Sequence, residues 1–229
     1  MGRSPLSVAH ARAAALLAEA TLEEKAGLLF HPATYVGRQR DLDLVKERHI
    51  VHMNIVDGSD PAEIAGWHNA LQDAAQQTRL KIPVTLSSDP RHHVRSSPVA
   101  GESIAALSRW PETTGIAATG SDECARRCGD TVRRELSALG IRVLLGPMAD
   151  IFSDPRWSRG YGTFGEDAEL VAFLVELLGE GVFRRHLQTM IDGGPDDNVF
   201  VNRANGGREH VHHIIGDIID RSAAGRLFR

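Results

Sequence analysis

A chain of 229 residues, 42% of them hydrophobic and 24% charged, holds enough apolar material for one large domain or two small ones. Its formal net charge of -4 offers no global field for nucleic acid or for an anionic membrane surface. No stretch approaches the roughly 20 apolar residues that a membrane-spanning helix needs.

Near the start, the apolar run in ARAAALLAEA is short and ends at Glu19, with no small-residue cleavage site after it, so the cytoplasm is the expected compartment. Val8 to Ala18 has helical spacing, with Val8, Ala11, Ala15 and Leu16 on one side. Thr21-Leu-Glu-Glu24 then reads as a capping box that opens a second helix carrying Ala26, Leu28, Leu29 and Phe30. A short helix is expected over Asp41 to Arg48, and a strand over His49 to Val56 that ends in Asp57-Gly58.

The helix Pro61 to Thr78 follows, with Ile64, Trp67, His68 and Leu71 at helical spacing, and Trp67 is expected in the core. A second strand, Ile82 to Ser87, ends at Ser88-Asp89, and an irregular stretch runs from Pro90 to Glu112. Thr119-Gly-Ser-Asp122 opens a helix to Leu139, and Gly140 closes it. Cys124 and Cys128, four apart on that helix, read as reduced thiols; a redox or metal pair is the alternative.

Ile141 to Leu145 has the length and branching of a buried strand. After it comes GPMADIFSDPRWSRGYGTFGED, Gly146 to Asp167, and then the helical spacing of Ala168 to Val182. Strand and helix alternate throughout, which argues for parallel strands joined by right-handed crossovers. Aspartates follow each strand: Asp57, then Asp89, then Asp150 and Asp154. Acids delivered at one end of successive strands are what a barrel with its site on the C-terminal face should show, although any single aspartate can equally cap a helix or close a turn. The loop adds Arg156, Trp157, Arg159, Tyr161 and Glu166 to those acids. Carboxylates, guanidinium groups and aromatic faces together suit a sugar, whose hydroxyls take charged partners and whose C–H face lies on a flat ring.

That loop resembles the pattern D-x-x-x-D-P-R-W-x-R-x-x-x-x-F-G-E-D of family 3 glycoside hydrolases, the β-glucosidase group, with Asp150 and Asp154 to Asp167 in order. The likeness covers about Val8 to Val182 and includes TLEEKAGLLF, IPVTLSSD and Trp110 to Ala118. The resemblance implies a (β/α)8 TIM-barrel-like N-terminal domain, here partial, over residues 1–183, with an unmatched tail over 184–229. It further implies O-glycosyl hydrolysis of terminal β-glycosides or oligosaccharides, without a cofactor or a metal. Asp89 matches the family's aspartate that accepts from sugar hydroxyls, and Arg156 its sugar-contacting arginine. Asp150, Asp154, Tyr161 and Glu166 are expected around them.

The family's K-H-F-x-G-x-G run and its S/T-D-W/Y/F nucleophile motif have no match here. The expectation is therefore a truncated enzyme, completed by another chain, or a non-catalytic sugar-binding fragment. A metal-dependent hydrolase using Asp57, Asp89 and the terminal histidines is a further alternative. His210, His212 and His213 lie on the last expected helix, Arg208 to Ala224, where a solvated or locally paired cluster is the simpler reading. No nucleic-acid or membrane partner is expected.

Overall fold

The computed structural model describes residues 5–89, 92, 104–182, 188–190 and 200–201. Its strands β1 (Ala33–Thr34), β2 (His52–Ile55), β3 (Thr85–Ser88), β4 (Val143–Leu145), β5 (Gln188–Met190) and β6 (Phe200–Val201) form one sheet in sequential order. The strands β1 to β5 run parallel, and β6 returns antiparallel to β5. This is the expected α/β fold, and strand-by-strand progression without reversal of order is the way a (β/α)8 barrel is laid down. Parallel pairing of β5 with β4 carries the sheet past residue 183.

Before the sheet lie α1 (Pro5–Glu19) and α2 (Leu22–Gly27), and between its strands lie α3 (Gln39–Arg48), α4 (Pro61–Gln76), α5 (Thr113–Ala118), α6 (Asp122–Ala138) and α7 (Ala168–Val182). Local chemistry sets their starts. Thr21 and Glu24 form both halves of the capping box on α2, while the Asp60 and Ser121 side chains accept from Ala62 N–H and Cys124 N–H to open α4 and α6. Glu24 also pairs with Arg79, beyond the end of α4, so one carboxylate ties two helices together.

Alternation along β2 and β3 separates the two faces of the sheet. Met53, Ile55 and Leu86 are fully buried on the face covered by helices, against a core that includes Ile64, Trp67, Leu71, Leu136 and Leu174. His52 and Asn54 sit opposite, in register with Thr85 and Ser87. His31 Nε2 lies 2.6 Å from Ser87 Oγ on that second face. Trp67 is a core residue, as expected, and its indole N–H donates to Thr34 Oγ1 at 3.1 Å. Thr34 in turn donates to the buried Asp41, which also accepts from Tyr35 N–H. This buried chain of bonds fixes β1, a two-residue strand with no legible pattern of its own.

The first helix forms over the expected residues, and its apolar side is open. Ala11 and Ala15 are exposed, Leu16 is half-buried and Leu17 is 55% exposed, so the apolar side of α1 is not packed among the described residues. The expected tail helix and its histidines lie outside the described residues, as does Val8's side chain. No helix among the described residues is long and apolar enough to cross a membrane.

Candidate functional site at the C-terminal strand ends

Asp89 leaves β3 directly after Ser88, and Gly146, Pro147 and Met148 leave β4 after Leu145. These two strand ends, with Arg159, His92 and Cys128, line one cavity of about 80 Å³. The cavity thus sits at the carboxyl end of parallel strands, where folds of this kind gather their chemistry.

The long loop after β4 holds its shape through backbone and threonine bonds. Phe152 N–H donates to Gly165 C=O at 2.9 Å, closing the loop across its base. Successive turns bring Trp157 N–H onto Asp154 C=O and Gly160 N–H onto Trp157 C=O. A 3-10 turn, Gly160–Gly162, follows Arg159. Thr113 and Thr114, at the start of α5, both donate to Thr163 C=O, and Thr114 donates to Tyr161 C=O as well. Phe164 is 1% exposed and anchors the loop in the core. Gly160 is required by proximity: a Cβ there would meet the Phe152 ring at 2.1 Å.

This frame decides which arginine faces the cavity. Arg156 is turned to solvent, its side chain 89% exposed, and its guanidinium is bound to Asp154 through Nε at 3.0 Å. The Arg156 guanidinium first, and then the Arg156 N–H that Asp154 accepts from at 2.9 Å, hold the Asp154 carboxyl below the usual carboxylate range. Arg159, three residues on, lines the cavity with Asp89, and one of its terminal nitrogens lies 3.4 Å from Met148 Sδ. Of the two loop arginines, Arg159 and not Arg156 lines the cavity that Asp89 lines.

The remaining expected residues divide. Asp150 is half-buried on the way out of β4, Tyr161 is partly exposed on the 3-10 turn, and Glu166 is exposed before α7. Asp167 caps α7 by accepting from Leu170 N–H. Asp57 accepts from Val36 N–H at 2.9 Å, which ties the end of β2 to the segment after β1. Among the described residues no group of histidine, cysteine and carboxylate side chains has a metal-holding arrangement. Cys124 and Cys128 are free thiols. Burial first, and then Cys124 and Glu135, push the Cys128 thiol up to about 12, so it lines the cavity as an inert apolar group.

His92 and Cys128 were not legible as cavity residues, since neither belongs to a recognisable motif. Arg159 was visible as one of two arginines in the loop, but a sequence does not show which of them the turns bring to the cavity rim.

A parallel α/β sheet laid down in sequential strand order is that of a barrel-type protein, and its cavity lies at the carboxyl ends of β3 and β4. The chain belongs to glycosyl hydrolase family 3: residues 21–191 match the model of that family's N terminal domain. It is 42% identical over 176 residues to a periplasmic beta-glucosidase/beta-xylosidase of Dickeya chrysanthemi, covering 72% of this chain and 27% of that protein. It is 37% identical over 168 residues to beta-glucosidase C of Emericella nidulans, covering 70% and 27%. The chain thus spans about a quarter of the length of these relatives. In fold it is similar to a beta-glucoside phosphorylase bound to 2FGlc, with a TM-score of 0.67 at 18% identity, covering 93% of this chain and 38% of that one. It is also similar to a beta-N-acetylhexosaminidase from Beutenbergia cavernae, with a TM-score of 0.64 at 21% identity, covering 78% and 55%.

Proposed function

We propose that this chain provides the sugar-holding part of a β-glucosidase-type site, in which Asp89 and Arg159 grip the terminal sugar of a β-glycoside. The observation that carries the reading is that both line one cavity at the ends of β3 and β4, in a chain of family 3. Sugar hydroxyls would donate to the Asp89 carboxylate in short charge-assisted bonds, while Arg159 donates to a neighbouring hydroxyl. Arg156 takes the other half of the work, bracing the loop through Asp154 rather than touching sugar. Asp150, Tyr161 and Glu166 belong to the same loop outside the cavity lining and serve its shape rather than the sugar.

Hydrolysis with retention needs two carboxyl groups roughly 5–5.5 Å apart on either side of the bond. The motif that carries the family's nucleophile has no counterpart in this sequence, so bond cleavage depends on groups beyond the described residues. Another chain completing the sheet belongs to the same proposal, because β1 and β6 stand at the two ends of the strand order.

A second reading, a sugar-binding fragment without turnover, is favoured by the size of the cavity. Its volume of about 80 Å³ falls below the roughly 300–1,000 Å³ of sites that enclose a whole ligand. The cytoplasm as compartment is supported by the two free thiols. Cell fractionation tests it against the periplasmic location in the D. chrysanthemi relative's name.

Three measurements on the full chain separate the readings: release of p-nitrophenol from an aryl β-glucoside, covalent labelling by an activated 2-fluoroglucoside followed by mass spectrometry, and calorimetric titration with D-glucose. Turnover or stoichiometric labelling supports the hydrolase and refutes the fragment. Glucose binding without either supports the fragment. Absence of all three overturns the sugar assignment.

A further inference from the structure

The cavity that Asp89 and Arg159 line changes character with depth. Arg159 is exposed and Asp89 half-buried, so the charged groups stand at the mouth. Behind them the lining comes from three helices and a strand: Ile116 of α5, Cys128 and Val132 of α6, Leu178 of α7 and Leu144 of β4. Each of these five is 5% exposed or less. Burial keeps the Cys128 thiol protonated, so its sulfur joins the aliphatic side chains as apolar surface. Two polar side chains of the lining have partners within the protein. Thr113 Oγ1 donates to Thr163 C=O at 3.1 Å, and His92 Nε2 faces Glu135 Oε2 at 3.2 Å.

Such a depth does not suit a pyranose. Sugar hydroxyls pressed against aliphatic carbon and thiol lose their water partners without gaining others. No Trp, Tyr or Phe among the described residues lines the cavity to carry the C–H face of a sugar ring. The volume of about 80 Å³ excludes a whole glycoside but admits a short chain.

We propose that the apolar depth of this cavity receives a short alkyl aglycone, which makes alkyl β-glycosides the substrate class of the site. The assignment rests on the sugar reading above: Asp89 and Arg159 hold the sugar at the mouth, and the helix-lined depth takes the group attached to its anomeric oxygen. Removal of the chain from water supplies the affinity, which grows with each methylene until the cavity is full.

The test is calorimetric titration of the full chain with D-glucose and with methyl, n-butyl and n-octyl β-D-glucoside, the last kept below its micelle concentration. The n-butyl glucoside should bind at least about tenfold tighter than the methyl one, the scale of three methylenes partly removed from water. The n-octyl glucoside should gain no more than about threefold over n-butyl, because its chain outruns the cavity. Val132→Thr keeps the side-chain shape and sets a hydroxyl in the lining, so the butyl-to-methyl ratio should fall to within about threefold of unity. The ratio is read within one protein, so a change in folded fraction cancels.

Equal affinities for the methyl and n-butyl glucosides in the wild type would overturn the aglycone site. A ratio that Val132→Thr leaves unchanged would do the same, as would a gain that continues undiminished from butyl to octyl, since each places the chain outside this cavity. Glucose that binds while the butyl gain is absent overturns this site alone and leaves the sugar reading standing. Failure of glucose and of every glucoside to bind removes the sugar reading first and this site with it.

Discussion

Gly140, between α6 and β4, should tolerate no side chain. Its φ is 78°, and a Cβ built there would lie 2.0 Å from His68 Nδ1 and 2.3 Å from Cε1. The ring has little freedom to withdraw. Gln72 Nε2 holds His68 Nε2 at 2.8 Å, and Gln72 itself bridges to Val84 C=O at 2.7 Å and Val84 N–H at 3.1 Å. Moving the ring would loosen the link between α4 and the approach to β3. The Gly140→Ala change therefore adds a left-handed alanine, about 1–2 kcal/mol, to overpacking of about 1–3 kcal/mol. The loss of chain freedom in the unfolded state offsets about 0.4–1 kcal/mol of that.

A net destabilisation of about 2–4 kcal/mol is expected. Urea unfolding followed by circular dichroism would read it as a midpoint lowered by roughly 1–2 M for a slope of about 2 kcal/mol/M. In a His68→Ala background the clash is gone, and the same substitution should cost only the backbone strain, about 1 kcal/mol. A Gly140→Ala protein within about 0.5 kcal/mol of wild type, or an equal cost with and without the ring, would refute the reasoning.

Acid should act on Glu24 and on three partly desolvated histidines in separate windows. Arg79, and then the Thr21 N–H, hold the Glu24 carboxyl at about 2, so its folded value lies below the unfolded one. Its stabilisation is present above the ordinary glutamate value of 4.5 and is lost as pH falls toward about 2. The melting-temperature gap between wild type and Glu24→Gln should therefore close over that range. Burial lowers His31, His52 and His68 below their usual 6.5, with His52 adding to the effect at His31 and Arg142 to that at His68. Here too the folded value is the depressed one, so stability is full above 6.5 and declines as pH falls below it. Replacing His31 with Gln should make the wild-type decline shallower; an unchanged slope would remove His31 from the account. Phe164→Ala, which deletes a fully buried ring from the long loop, should cost about 3–5 kcal/mol in the same urea assay.

The sequence carried the elements whose chemistry is local. Thr21 and Glu24 announce a helix start because both halves of the capping box lie within four residues, and Gly140 marks a helix end by the conformation it alone adopts cheaply. Strands set by pairing were less legible. Ala33–Thr34 is too short for alternation and is fixed by Trp67 and Asp41 from distant segments. Gln188–Met190 has no apolar run, and its place comes from its register with β4.

The site divided in the same way. That Asp89 would sit at the carboxyl end of β3 was legible because a strand end has one direction. The two arginines were not, because their directions depend on turns closed by Thr113, Thr114 and the Phe152 ring packed on Gly160. For α1, helical spacing shows which residues share a side, not what covers it.

The account depends on Asp89 and Arg159 acting on one sugar while Arg156 serves only the loop. Titration calorimetry of the full chain with D-glucose tests this most directly, comparing Asp89→Asn, Arg159→Ala and Arg156→Ala with wild type. Asp89→Asn and Arg159→Ala should each weaken binding at least about tenfold, and Arg156→Ala should stay within about twofold. Loss of binding in Arg156→Ala with Arg159→Ala unaffected would contradict it.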